Sequence, residues 1–135
     1  MLGDQLAEET GQITGTRVLP DEGAGPKVET SFQLSGILLG IPVSDTGTWV
    51  SVTRLDGTFF GQGPGVVMTD DGATETWRGQ GVGRFTGHSM AVSWRGALYP
   101  QTTSERLARL NGIAAVFEFD VDEKGKVVVK TYERK

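Results

Sequence analysis

Apolar and polar residues alternate along most of the chain in short segments separated by turn-forming residues. Regular strand spacing with such turns is typical of an all-β sandwich or barrel. The alternation predicts eight strands, at about 9–19, 27–39, 41–54, 58–69, 73–85, 90–100, 112–121 and 126–133. Asp and Gly adopt the turn conformations easily, and they place predicted turns at 21–26, 45–47, 56–57, 70–72, 86–87 and 122–125.

The number of predicted strands bears on the architecture, because eight strands are enough to close a barrel. Closure also removes the exposed strand edges that would otherwise pair with other chains. The length of 135 residues is typical of a single domain. The sequence therefore favours an all-β fold, an eight-stranded antiparallel meander β-barrel, formed by one domain over 1–135.

One segment departs from the strand pattern and predicts a short helix near 103–111. Thr102 and Glu105 stand at capping-box spacing, and helix-forming residues follow them. Leu107 and Leu110 are three residues apart, so they share one face of that helix. We expect this face to close one end of the barrel.

Glycine is concentrated on one face of two neighbouring predicted strands, at positions 61, 63, 65, 79, 81 and 83. The opposite face of the second strand carries Arg78, Gln80 and Arg84, which suit water. Glycine inside a strand marks a sharp bend or a close approach of another group. We therefore expect the glycine face to line the interior, where it lets the sheet coil tightly and leaves room inside.

Aromatic side chains flank this glycine face and make it a candidate binding site. Arg95 stands among small residues of its strand and could hold an anionic group with two hydrogen bonds, although a surface or intersubunit ion pair is the alternative. The predicted ligand-binding residues are Phe59, Trp77, Gly81, Phe85, Trp94 and Arg95.

Two titratable residues are weighed as catalytic groups. Glu118 lies in the apolar run 113–119, and a carboxylate in apolar surroundings is a candidate acid or base. The alternative is that Glu118 pairs with an arginine such as Arg95 or Arg78, or lies at a subunit contact. His88 has no recognisable nucleophile motif nearby, so we interpret it as a turn residue.

Composition excludes several classes of protein. The absence of cysteine excludes disulfides, iron–sulfur clusters and zinc fingers, and the single histidine excludes most multi-histidine metal sites, so we expect no metal and no cofactor. The net charge is −4 and the 13 basic residues are dispersed, so no nucleic-acid partner is expected. No apolar run approaches the ~20 residues of a membrane span, and the acidic start is unlike a signal peptide. We expect a cytoplasmic protein without a membrane partner.

Residues 81–87, GVGRFTG, have the spacing G-x-G-x-F-x-G across a predicted strand end and turn. This segment resembles the glycine-rich segment of the allene oxide cyclase and dirigent barrel families, and 63–67, GPGVV, fits the same layout. The chain looks like a small uncharacterised bacterial-type member of that superfamily. The resemblance implies an eight-stranded antiparallel barrel with an apolar interior, often assembled into dimers or trimers, and it carries over no catalytic residue.

Three functions follow as hypotheses. The first is a non-catalytic barrel that binds a small apolar or amphipathic molecule in its interior. The second is an enzyme of the isomerase or cyclase type with Glu118 as its acid or base, and the third is a structural or assembly barrel filled by its own side chains. We also expect a homo-oligomer, a dimer or trimer, because Phe60, Val66 and Met68 leave apolar groups on the face opposite the glycines.

Overall fold

Eight antiparallel strands form a closed barrel in chain order, as the computed structural model shows for residues 2–87 and 90–135. Each strand pairs with its sequence neighbours, and β1 closes the barrel against β8. This confirms the predicted eight-stranded antiparallel meander. The strands are β1 (Leu2–Leu19), β2 (Lys27–Leu38), β3 (Ile41–Thr53), β4 (Phe59–Thr69), β5 (Thr74–Phe85), β6 (Val92–Thr102), β7 (Ala115–Val121) and β8 (Lys126–Arg134).

The two ends of the barrel differ, and we name them by their connections. The base carries the turns at 39–40 and 70–73 and the longer segment 103–114. The mouth carries the loops at 20–26, 54–58 and 122–125. Every strand runs between these two ends, so the position of an inward side chain along its strand gives its height in the barrel.

The segment at the base contains less helix than the sequence predicts. Only Ala108–Leu110 forms a 3-10 helix, instead of a helix over 103–111. The Thr102 hydroxyl accepts from the Ser104 N–H at 3.0 Å instead of the Glu105 N–H of a capping box, and it donates to the Thr74 carbonyl at 2.6 Å. The Asn111 side chain also bonds the backbone N–H and C=O of Thr102, each at 2.9 Å, so the ends of the segment are held together.

The predicted role of this segment as a plug holds despite the missing helix. Leu107 and Leu110 are 0% and 1% exposed and lie over the base of the barrel. Residues three apart fall on the same side of a 3-10 turn as well as of an α-helix. Arg109 stays outside and pairs with Asp4 and Glu133, each at 2.9 Å, which ties the plug to the first and last strands.

The turn predicted at 45–47 lies inside the strand predicted over 41–54, and the structure shows the strand. β3 continues through it, and Asp45 lies opposite Leu34 on one side and Val67 on the other. Asp45 and Gly47 are both buried at inward positions. The residue types resembled a turn signal, but they occupy the interior face of a regular strand.

The glycine face lines the interior, as predicted, and large rings cover it. Three indole rings lie against bare backbone at distances that leave no room for a side chain. An added Cβ would lie 2.1 Å from Trp77 at Gly65, 2.2 Å from Trp49 at Gly61 and 2.7 Å from Trp94 at Gly83. The glycines therefore fit the three tryptophans inside a small barrel.

Candidate functional site

A cavity of about 560 Å³ occupies the barrel interior from the mouth down to the plug at Leu110. This volume is within the range of sites that bind small molecules. Ile13, Phe59, Phe85 and Met90 line the cavity near the mouth. The interior is therefore not filled by its own side chains, which argues against the purely structural hypothesis.

The middle of the cavity is surrounded by six aromatic side chains, which we call the aromatic wall. Trp49 is at its centre, with ring centroids 5.7 Å from Trp94 and 6.0 Å from Phe117 in edge-to-face contacts. Such contacts orient the rings and hold the wall in one arrangement. The members of the wall are Phe32, Trp49, Trp77, Trp94, Phe117 and Phe119.

Three carboxyl groups lie below this wall, toward the base, and we call them the acidic floor. They are Glu9 from β1, Asp45 from β3 and Glu75 from β5, and all three line the cavity. Their exposed fractions are only 5%, 5% and 4%. The indole Nε1 of Trp77 donates a hydrogen bond to Asp45 Oδ1 at 3.0 Å, which connects the floor to the aromatic wall.

Burial governs the protonation of the floor. Loss of water raises the pKa of Glu9 to about 9, with further contributions from the charge of Asp45, a hydrogen bond to Asp45 and the charge of Glu75. Burial, followed by the charge of Asp45, raises the pKa of Glu75 to about 8. Both glutamates are therefore mostly protonated near neutral pH.

Asp45 differs from the two glutamates because it accepts hydrogen bonds. Burial raises the pKa of Asp45, while hydrogen bonds from Trp77 and Glu9 oppose that rise. Hydrogen bonds of this kind favour the ionised form of the acceptor. The arrangement is a protonated Glu9 that donates to Asp45, with the Trp77 N–H as the second donor.

Two buried polar atoms beside the cavity have no hydrogen-bond partner among the described residues, Glu75 Oε2 and Trp49 Nε1. Buried polar groups in proteins are nearly always satisfied, so an exception needs an explanation. Within residues 2–87 and 90–135, no group of acidic or imidazole side chains is arranged to hold a metal ion. The carboxyl oxygen Glu75 Oε2 can accept a hydrogen bond, and the indole Trp49 Nε1 can donate one.

Four of the six predicted ligand-binding residues line the cavity. Phe59 and Phe85 contact each other near the mouth, with ring centroids 5.0 Å apart. Trp77 and Trp94 belong to the aromatic wall. Gly81 faces inward, but an added Cβ there would lie 3.1 Å from Phe117, so that ring and the strand backbone cover it.

The other candidates lie outside the cavity. Arg95 is on the outer face, where it bonds Asp120 Oδ1 at 2.8 Å, and its predicted role in ligand binding does not fit this position. Glu118 is exposed on the same face, opposite Arg95 and Lys130, so the prediction of apolar surroundings is wrong. Its strand alternates regularly, but the outward Val116 made both faces look apolar. His88 lies outside the described residues.

Sequence reasoning missed the acidic floor. Each of its members shares the inward face of its strand with glycines. Glu9 is two residues before Gly11, and Asp45 is two residues before Gly47. Glu75 begins the inward series of β5 that continues through Trp77. A carboxyl group at an inward position of a glycine-bearing strand was the signal that could have identified the site.

Comparisons with known proteins identify the fold and leave the activity open. No family model matches the sequence, and no curated protein is similar to it. A conserved protein of unknown function from Rhodopseudomonas palustris is similar in structure, with a TM-score of 0.82 at 15% identity over 98% of this chain and 97% of that one. A protein of unknown function from Clostridium acetobutylicum has a TM-score of 0.81 at 14% identity over 98% of both chains.

A β-barrel-like protein from Acinetobacter baumannii is similar to the same degree, with a TM-score of 0.83 at 16% identity, over 100% of this chain and 96% of that one. Identities this low show a shared barrel fold and nothing finer.

Among the described residues, no helix is long and apolar enough to cross a membrane.

Proposed function

We propose that the barrel binds a small amphipathic molecule in its interior cavity. The observation that carries this proposal is a cavity of about 560 Å³ with an aromatic wall around its middle and three buried carboxyl groups at its floor. Apolar walls with a few placed polar groups are the usual composition of small-molecule sites. The apolar part of the ligand would contact the wall, and its polar end would reach the acidic floor.

Two variants with the same substitution at adjacent positions test this proposal. Ser51 lines the cavity, whereas Val52 points away from it and faces Phe60 and Lys27 on the neighbouring strands. Ser51→Phe should fill the cavity and weaken binding of an apolar fluorescent probe by about tenfold or more, while Val52→Phe binds as the unaltered protein does. Equal binding by both variants would contradict an interior site.

Native mass spectrometry of freshly purified protein provides a second, independent test. A mass increment that survives gentle transfer and disappears after denaturation would identify a small molecule carried from the cells. The Ser51→Phe variant is the matched control, because it should lose this increment if the molecule occupies the cavity. Retention of the increment in this variant would place the molecule elsewhere.

A second candidate function is acid–base catalysis of the isomerase or cyclase type. Its support is the pair of buried glutamates, since burial raises the pKa of Glu75 to about 8 and a carboxylic acid that stays protonated at neutral pH can donate a proton. Glu9 and Glu75 replace Glu118 as the acid or base in this version.

Membership of the allene oxide cyclase and dirigent barrel superfamily also stays a proposal. It is supported by the closed eight-stranded barrel and by the inward positions of Gly81 and Gly83.

Self-association also stays a prediction. Val66 and Met68 are 43% and 47% exposed on the outer face of β4, and Phe60 on the same face is half-buried. Burial of such a row between subunits is a common arrangement. Sedimentation at micromolar concentration should give the mass of a dimer or trimer, and a monomer mass would contradict the prediction.

A further inference from the structure

We propose that the occupant of the cavity is a protonated amine with an apolar tail, whose ammonium group binds the acidic floor. This inference rests on the proposed function and names the chemical class of its ligand. The apolar tail would run along the aromatic wall toward the mouth. The three N–H donors of an ammonium group match the carboxyl oxygens of Glu9, Asp45 and Glu75.

The first argument is the unsatisfied oxygen of the floor. Glu75 is 4% exposed and lines the cavity, and its Oε2 has no partner among the described residues. The Glu9 and Asp45 carboxyls are bonded to each other, and Trp77 supplies the remaining donor to Asp45. Glu75 Oε2 is therefore a buried carboxyl oxygen of the floor without a partner among the described residues, and an ammonium group would supply a donor to it.

The second argument is charge. No lysine or arginine lines the described part of the cavity, although five carboxyl groups do, the three of the acidic floor and those of Asp122 and Glu123 at the mouth. Buried carboxylates are normally paired with a cation or kept neutral, because an isolated buried charge is costly. A cationic ligand would provide the missing countercharge. Tryptophan faces also attract cations, so the wall above the floor does not oppose this charge.

The third argument concerns what else faces the floor. The remaining strands contribute only uncharged side chains to the cavity at this level, namely Leu38 from β2, Val67 from β4, Pro100 from β6, Ala115 from β7 and Thr131 from β8. The plug contributes Leu110. A negatively charged ligand would therefore meet acidic groups without any cation to offset them.

Binding of an ammonium group has a proton balance that can be measured. In the empty cavity Glu75 is mostly protonated at neutral pH, because burial raises its pKa to about 8. The ammonium group favours the ionised carboxylate, so the Glu75 proton leaves to solvent as the ion pair forms. We expect release of about one proton per ligand at pH 7, and an affinity that rises from pH 6 to about pH 8 while the amine stays charged.

The experiment compares three ligands with the same eight-carbon tail by isothermal titration calorimetry: octylamine, octanol and octanoate. Octylamine should bind about tenfold or more tightly than octanol, and octanoate should bind most weakly. Titration of octylamine in two buffers with different ionisation heats should reveal the released proton. Glu75→Gln should reduce the preference for octylamine over octanol, while the exposed Glu118→Gln leaves it unchanged.

The outcomes separate this inference from the proposed function. Octanol or octanoate binding as tightly as octylamine overturns the amine assignment while the cavity remains a binding site. Failure of all three ligands to bind overturns the inference and contradicts the proposed function. The proton release is measured on the unaltered protein, so the test does not depend on the folding of Glu75→Gln.

Discussion

The aromatic wall and the acidic floor are built on opposite principles. In the wall, indole rings and glycine backbone fit together closely, as with Trp77 against Gly65, and packing alone explains the arrangement. In the floor, carboxyl groups lose water and receive few hydrogen bonds, and Glu75 Oε2 receives none from the described residues. Such a floor costs stability. Buried polar groups without partners need an explanation, and the proposed ligand supplies one for the floor.

The largest expected effect comes from opening the base beneath the floor. Leu107 is fully buried in the plug, so Leu107→Ala should lower the free energy of unfolding by about 2–5 kcal/mol. Met90 at the mouth is 67% exposed, so Met90→Ala is the matched control and should have little effect. Chemical denaturation checks both. Equal losses would mean that the base and the mouth contribute alike to stability.

The floor should make stability depend on pH. Because the folded pKa of Glu75 lies at about 8, above its value in the unfolded chain, the folded state binds more protons between these values. The free energy of unfolding should therefore fall as pH rises from about 5 to 9, by an amount on the order of a few kcal/mol, with Glu9 contributing in the same direction.

Glu75→Gln should flatten this decline, since an amide does not titrate, and the exposed Glu118→Gln should leave it in place. Urea denaturation at several pH values provides the measurement. A profile for Glu75→Gln that parallels the unaltered protein would show that Glu75 is not a buried acid.

In the aromatic wall, the free energy of unfolding should depend on side-chain size and not on pH. Gly65→Ala places a Cβ 2.1 Å from the Trp77 ring, so we expect a loss of about 1–3 kcal/mol at every pH. At Gly79 the nearest atoms to an added Cβ are 3.3 Å away, so Gly79→Ala should cost much less. Thermal or urea unfolding of both variants tests the contrast. A tolerated Gly65→Ala would indicate that Trp77 is not held against that glycine.

The smallest effect concerns the bond that joins wall and floor. Trp77→Phe and Trp49→Phe remove similar volumes from the wall, but only the Trp77 indole donates to Asp45. We expect Trp77→Phe to be more destabilising by about 1–2 kcal/mol, because it leaves the Asp45 carboxyl without this donor. Equal unfolding free energies of the two variants would show that the hydrogen bond from Trp77 to Asp45 does not stabilise the fold.

The sequence predicts the wall better than the floor, for a physical reason. Glycines and aromatic residues that recur every second position identify the inner face of β4 and β5 directly, and the structure agrees at Gly61 and Trp77. The plug could be predicted equally well, because Leu107 and Leu110 are the only large apolar residues of the predicted helix near 103–111. Local patterns were sufficient for both features.

The floor could not be assembled from local patterns. Glu9, Asp45 and Glu75 come from three different strands, and only closure of the barrel places them in one cavity. Acidic residues are usually outside, and Asp45 also matched a turn signal. Glu118 was chosen instead because the outward Val116 hid the alternation of its strand.

NMR titration of the side-chain carboxyl carbons measures the protonation of the floor residue by residue. We expect Glu75 to titrate with a pKa of about 8 and Glu9 with a pKa of about 9 in the empty barrel. Addition of octylamine should shift the Glu75 transition to lower pH, because the ammonium group favours the ionised form. If both glutamates titrate at ordinary values of about 4–5, the floor is open to water and the account is contradicted.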